Sequence, residues 1–143
     1  MPHEDQLAAV PLFSQLPRKD LTRIGRAVVE RSYKKGETIV KEGDQAVAFF
    51  IVTGGRVEVT RGTGAKKQKL NELGPGAVFG EMALLDGAPR VATIKALEDS
   101  SCLVLSRWDF VAELRTNPQV AVGMLPIISR RLREVEGRFD DTL

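Results

Sequence analysis

Two opposite charges nine positions apart, Glu81 and Arg90, bracket the stretch with the clearest chemical potential, "FGEMALLDGAPRVAT" at residues 79–93. Gly80 lets backbone approach a ligand closely. Glu81, Met82, Ala83, Leu84 and Leu85 are good helix formers, enough for about one turn. The start of such a turn offers unpaired N–H groups and the positive end of a helix dipole, which suits an anion. Gly87 and Pro89 then break the turn and return the chain, so Arg90 can point at the same place. Its guanidinium fork pairs two anionic oxygens at once. The carboxylate of Glu81 gains nothing beside a phosphate, but it can accept a hydrogen bond from a sugar hydroxyl. Together the two residues describe a phosphorylated sugar with a free hydroxyl. A surface ion pair between them, worth about 0–1 kcal/mol, explains the same charges, and the spacing leaves both readings open.

Other chemistries lack their residues. His3 is the sole histidine, so a metal-binding cupin, a zinc hydrolase or a Ser-His-Asp triad has no ligand or base to use. Cys102 is alone and sits in "SCLVLS", the setting of a buried strand thiol. "GTGAKK" at residues 62–67 lacks the P-loop spacing and reads as a hairpin turn with a solvated basic tip. "GPGAVFG" at residues 74–80 is one residue too long for a dinucleotide fingerprint and has no long helix after it.

The elements that position Glu81 and Arg90 follow from periodicity. Leu12, Phe13 and Leu16 precede Leu21, Ile24, Ala27 and Val28 at helical spacing, with Pro17 near the first turn. Six strand-like runs follow: 37–40, 48–53, 56–61, 68–73, 91–96 and 101–105. In "RVEVT", Val57 and Val59 face one way while Arg56, Glu58 and Thr60 face the other. Glycine-containing turns separate the runs, as in an antiparallel sandwich or jelly roll. Ser106 and Asp109 form a capping pair ahead of "RWDFVAELR". Asn117 and Pro118 open a further helix, which Pro126 is expected to break or kink, leaving a last helix over about residues 127–139.

The chain of 143 residues suits one domain, which buries roughly two-thirds of its unfolded surface. Its 21 Lys and Arg against 19 Asp and Glu leave a formal charge of +2, scattered along the sequence, which argues against a surface built for nucleic acid. The longest apolar run, Ala46 to Val52, is far short of the roughly 20 residues that span a bilayer, and the N-terminus lacks a signal pattern. A cytoplasmic location is the expectation.

The stretch at residues 79–93 resembles the phosphate-binding cassette of the cyclic nucleotide-binding domain family, which includes the catabolite activator protein, regulatory subunits of cAMP-dependent protein kinase and cyclic nucleotide-gated channels. The likeness extends through "KKGETIVKEGD", "FFIVTGGRVEV" and "LGPGAVFGE", and "PLFSQL" and the C-terminal helices also fit. It implies a mainly β fold, an eight-stranded antiparallel β-roll of jelly-roll type with flanking helices. It also implies a domain that binds cAMP or cGMP without turning it over, and so not an enzyme. Carried onto matching positions, Arg90 pairs the cyclic phosphate and Glu81 the ribose 2′-hydroxyl, with main-chain groups of Gly80, Met82 and Ala83 completing the cradle. Members favouring cGMP often have Thr after the cassette arginine; Val91 stands here, which implies preference for cAMP.

The same resemblance makes the last helix a lid, with Ile128, Leu132, Val135 and Phe139 covering the base or packing on a second subunit. In an ungapped comparison with bacterial channel domains, Arg131 takes the place of a residue that stacks on the base; a solvated arginine in "RRLR" is the other reading. "QAVAFF" departs from the glycine and acid that the family usually carries after Asp44. Few residues follow Phe139, so no DNA reader is expected. The whole reads as a single domain over 1–143: a helical segment 1–32, the β-roll 33–106 and C-terminal hinge and lid helices 107–143. It is expected to pass the signal to an effector that the sequence does not name. The alternative is a ligand-independent interaction module, dimerising through its last helix around a degenerate pocket.

Overall fold

The computed structural model describes residues 3–140. Its elements are helices α1 (Glu4–Ala8), α2 (Arg18–Ala27), α3 (Ala83–Asp86), α4 (Arg107–Thr116) and α5 (Gln119–Asp140), with 3-10 turns at Pro11–Phe13 and Gly64–Lys66. The strands are β1 (Val29–Tyr33), β2 (Thr38–Val40), β3 (Ala48–Gly54), β4 (Val57–Arg61), β5 (Gln68–Leu73), β6 (Val78–Phe79), β7 (Thr93–Ala96) and β8 (Ser100–Ser106). By their contacts they fall into a β unit, Ala27–Val111, and a helical unit made of the described residues up to Arg26 and from Ala112 on.

The β unit holds two four-stranded antiparallel sheets, ordered β1-β8-β3-β6 and β2-β7-β4-β5. This is the mainly antiparallel eight-stranded β-roll that the sequence implied. Its interior lies between the sheets: Ala48, Phe50, Val52, Phe79, Cys102 and Val104 from one meet Val57 and Ile94 from the other. Alternate residues of β3 and β8, Phe49, Ile51, Leu103 and Leu105, are buried as well. Strands buried on both faces read as unbroken apolar runs, which is the texture of both segments.

Three local expectations are corrected. Thr60, expected on the wet face with Glu58, is buried at 5% exposure; the β4–β5 register shifts beside it, with the extra residue, Leu70, on β5. The N-terminal helix stops at Ala27, and β1 begins inside the segment expected to be helical; Val28 and Val29, both β-branched, fit a strand better than a helix end. Of the break or kink expected at Pro126, the break does not occur, and α5 runs through it without a new helix starting at 127. The ring removes the donor to the Val122 carbonyl, but Val122 is 64% exposed and Pro126 is exposed too, so water can serve that oxygen.

In the helical unit the buried apolar residues include Leu7, Leu12, Phe13, Leu16, Ile24, Val120 and Met124. Asp20, 1% exposed, receives Arg23 Nη2, whose Nε donates to Glu113 Oε1 at 2.9 Å; Asn117 Nδ2 reaches the same oxygen at 3.1 Å. The arginine thereby links α2 to the last turn of α4. Along α5, Leu125, Leu132 and Val135 are 58%, 58% and 45% exposed and Ile128 is half-buried. The side chain of Phe139 lies outside the described residues.

Candidate functional site

Gly80, Glu81, Met82, Ala83, Arg90 and Val91 line one cleft of about 320 Å³, together with Ala46, Val78, Asp86, Ala88 and Pro89. A volume of that size falls at the lower end of the roughly 300–1,000 Å³ of small-molecule sites. Arg131 is not among the lining residues; it sits on α5.

A short backbone ladder fixes Arg90. Its amide donates to the Asp44 carbonyl at 2.8 Å, its carbonyl accepts from Gly43 at 2.9 Å, and Ala46 donates to Ala88 at 3.3 Å, with Gln45 opposite Pro89. The "QAVAFF" segment therefore begins with residues that strap down the return of the cassette. From this anchor the side chain runs inward. Nη2 donates to the Ala48 carbonyl, and the guanidinium carbon lies 5.6 Å from the Phe50 ring centroid. Phe50 stacks in turn on Phe79, with centroids 4.7 Å apart and planes 11° from parallel. Partial burial lowers the Arg90 pKa through desolvation, yet an arginine keeps its charge at neutral pH.

Gly80 is part of the same device. Its φ of +81° is a left-handed conformation, and a Cβ there would collide with Arg90 Nη1 and stand 3.2 Å from the Ala48 oxygen. Only a hydrogen fits between this backbone and the guanidinium. Beyond Gly80 the chain turns into α3 through Ala83 N–H to Gly80 C=O at 3.1 Å and Leu84 N–H to Glu81 C=O at 3.2 Å. The Ala83 amide is thus already engaged in the turn, and a ligand can reach it only by sharing that bond. Leu84 is fully buried and anchors the turn, and Gly87 ends it at φ +66°. Val91 follows, 72% exposed, its carbonyl accepting from Arg61 Nε at 3.2 Å.

The arrangement suits an anionic group at Arg90 and a hydroxyl at Glu81, against an apolar wall of Ala46, Val78, Ala88, Pro89 and Val91. The tight fit at Gly80 is what lets the Arg90 guanidinium lie directly on backbone at the edge of the cleft. Sequence reasoning had not singled out Ala46, Ala48, Phe50, Val78, Asp86 or Ala88, and had read Pro89 as a turn breaker and not as part of the wall. The alternation of "AFF" put Ala48 and Phe50 on one face of β3, which is the one signal that could have found the bed of Arg90.

Comparison with known proteins gives a consistent result. Residues 30–117 match the sequence profile of the cyclic nucleotide-binding domain. The chain is 37% identical over 131 residues to the cyclic AMP receptor protein of Thermus thermophilus, a match covering 91% of this chain and 61% of that protein. It is 38% identical over 107 residues to human cGMP-dependent protein kinase 2, covering 73% of this chain and 14% of the kinase. Among solved structures, the N-terminal domain of a transcriptional regulator from Streptomyces coelicolor matches with a TM-score of 0.86 at 31% identity, covering 94% of this chain and 95% of that one. The chain thus spans less than two-thirds of the length of both the receptor protein and the kinase.

Proposed function

This chain belongs to the cyclic nucleotide-binding domain family as a regulatory binding domain, and on that premise we propose that it is a sensor that takes cAMP in preference to cGMP and signals by rearranging its C-terminal helices. The observation that carries the reading is the bed of Arg90: one Nη on the Ala48 carbonyl, the guanidinium over Phe50, and Gly80 without a side chain beside the other Nη. Arg90 holds the cyclic phosphate through its remaining donors. Glu81 accepts from the ribose 2′-hydroxyl, the only ribose hydroxyl that 3′,5′-cyclisation leaves free. Main-chain groups of Gly80, Met82 and Ala83 close around the phosphate. Val91 presents the base with a methyl-bearing surface and no side-chain hydrogen bond, which favours adenine over guanine. For stacking on the base, the resemblance offers Arg131. All 143 residues act as one domain, in the cytoplasm, binding the ligand without turnover.

The ligand acts by differential affinity for two arrangements of the C-terminal helices. Hydrogen exchange in α5 is expected to change on saturation with cAMP; unchanged protection would remove the switch from this account. The exposed row Leu125, Leu132 and Val135 favours a second reading, pairing of two copies through α5, alone or with the sensor role. A molecular mass by sedimentation, with and without cAMP, separates a constitutive dimer from a ligand-controlled one.

Calorimetric titration of the wild type and Arg90→Ala with cAMP and cGMP tests the binding reading. Loss of a phosphate-paired arginine is expected to cost about 2–5 kcal/mol, or roughly thirtyfold to several thousandfold in affinity. No binding of either nucleotide by the folded wild type would transfer the weight to the interaction module.

A further inference from the structure

We propose that Arg107, which has no part in the binding reading above, is a positioning residue that ties the cassette helix to the start of α4, so that occupancy at Arg90 and Glu81 is felt there. The proposal rests on that binding reading. Arg107 is the first residue of α4, placed directly after Ser106, whose Oγ accepts the Asp109 amide at 3.0 Å and fixes where the helix begins. It is held at both ends. Its own amide donates to the Val47 carbonyl at 2.7 Å, one residue before the carbonyl that takes Arg90. Its side chain runs to the far end of the cassette helix, where Nη2 donates to the Leu85 carbonyl at 3.4 Å.

The contact with α3 is close. A Cβ at Gly87, the left-handed residue that ends α3, would lie 3.3–3.5 Å from Arg107 Nε, Cδ and Cζ. The Arg107 side chain therefore runs alongside the turn, at about van der Waals distance from where a Gly87 side chain would begin. Carbonyls of the last helical turn have no partner within the helix, and a cation there satisfies them and opposes the dipole. Nε is buried and has no hydrogen-bond acceptor among the described residues. A buried guanidinium N–H without an acceptor is costly where it stands. It also lies within reach of any carbonyl of α3 that moves toward it.

Glu81 and Arg90 flank α3 on both sides in the sequence, so a ligand that engages both must bear on this helix. Arg107 holds its C-terminal end, and the other end of the same residue opens α4. Binding linkage is reciprocal: whatever nucleotide does to the Arg107 contact, the contact does to nucleotide affinity by the same factor. An arginine that merely caps α3 would stabilise the fold without this coupling.

Trp108, the single tryptophan, is the next residue and is 86% exposed, which makes it a built-in reporter. The test uses the full chain as wild type, Arg107→Lys and Arg107→Met; Met keeps the apolar stem and removes the fork. Calorimetry reads cAMP affinity, and acrylamide quenching of Trp108 reads the start of α4. Saturating cAMP is expected to change quenching in the wild type. Arg107→Met is expected to bind about tenfold more weakly and to show no quenching change at saturation, with Arg107→Lys intermediate. Unaltered affinity and an unaltered Trp108 response in Arg107→Met would overturn the proposal. So would a wild type that binds cAMP with no change at Trp108, a result that needs no variant and leaves the binding reading intact. A folded wild type that takes up no cAMP by calorimetry removes the binding reading, and this coupling with it.

Discussion

Replacing Gly80 with alanine separates two costs that the cleft places on one residue. The first is conformational: φ is +81°, and a left-handed residue with a side chain costs about 1–2 kcal/mol. The second is steric, because the new Cβ meets Arg90 Nη1, and overpacking of this kind costs about 1–3 kcal/mol. Together they give a loss of about 2–5 kcal/mol in unfolding free energy. Gly36→Ala supplies the first cost alone, since Gly36 has a φ of +89° and nothing within 4 Å of a Cβ. Gly80→Ala in an Arg90→Ala background supplies the rest of the comparison. With the guanidinium gone, the nearest remaining neighbour is the Ala48 oxygen at 3.2 Å, and the cost of Gly80→Ala should fall toward that of Gly36→Ala. Urea unfolding of the four cassette variants, followed by far-ultraviolet circular dichroism, yields the coupling directly, with an expected magnitude of about 1–3 kcal/mol. If Gly80→Ala cost the same with and without Arg90, the two residues would not share one space, and the argument for a glycine-lined guanidinium bed would fall.

Three further outcomes are expected. Burial pushes the Cys102 thiol up to about 11, so the folded chain holds that proton more tightly than the unfolded one. Its contribution is fully present below the unfolded thiol pKa, about 8.5, and is lost as pH rises through the folded value; thermal melts across that range should decline less steeply in Cys102→Ala. Tyr33, also raised by burial, adds loss of the same sign at higher pH. Arg23→Met should lower the melting temperature more than Arg18→Met, because Asp20 is buried whereas the Asp5 partner of Arg18 is 89% exposed in its side chain. Equal losses would mean that the Asp20–Arg23–Glu113 link carries no special weight. Val91→Thr should raise cGMP affinity relative to cAMP by one hydrogen bond, about 0.5–1.5 kcal/mol or roughly twofold to twelvefold, measured by competition; an unchanged ratio would detach base choice from this position.

Legibility in the sequence followed local punctuation as much as burial. Gln68–Leu73 has no buried residue, yet the glycine turns on either side delimited it to the residue. Where a strand has little interior to reach, the pattern fades: β1 is exposed at Val29, Glu30, Arg31 and Ser32 and is recognisable only by its pairing with β8. A two-residue strand such as β6 has no period at all. The burial of Thr60 departs from the alternation of β4, and the β5 bulge beside it depends on the register of two strands, which local sequence does not encode. In the cleft, the charged and glycine positions declared themselves through chemical type. Its walls did not, because Ala46, Ala88 and Pro89 acquire a role only from the ladder that brings residues 43–46 beside 88–90. Arg107 stayed hidden for the same reason: nothing in "SRWDF" shows that its side chain runs alongside the turn at Gly87.

Pro126 gives α5 a mechanical property beyond its continuity. One hydrogen bond of the helical ladder is already missing there, at Val122, a residue that is 64% exposed. Bending the helix at this point disturbs one bond fewer than bending it a turn away in either direction. Residues 122–126 are therefore where a change of angle along α5 costs least.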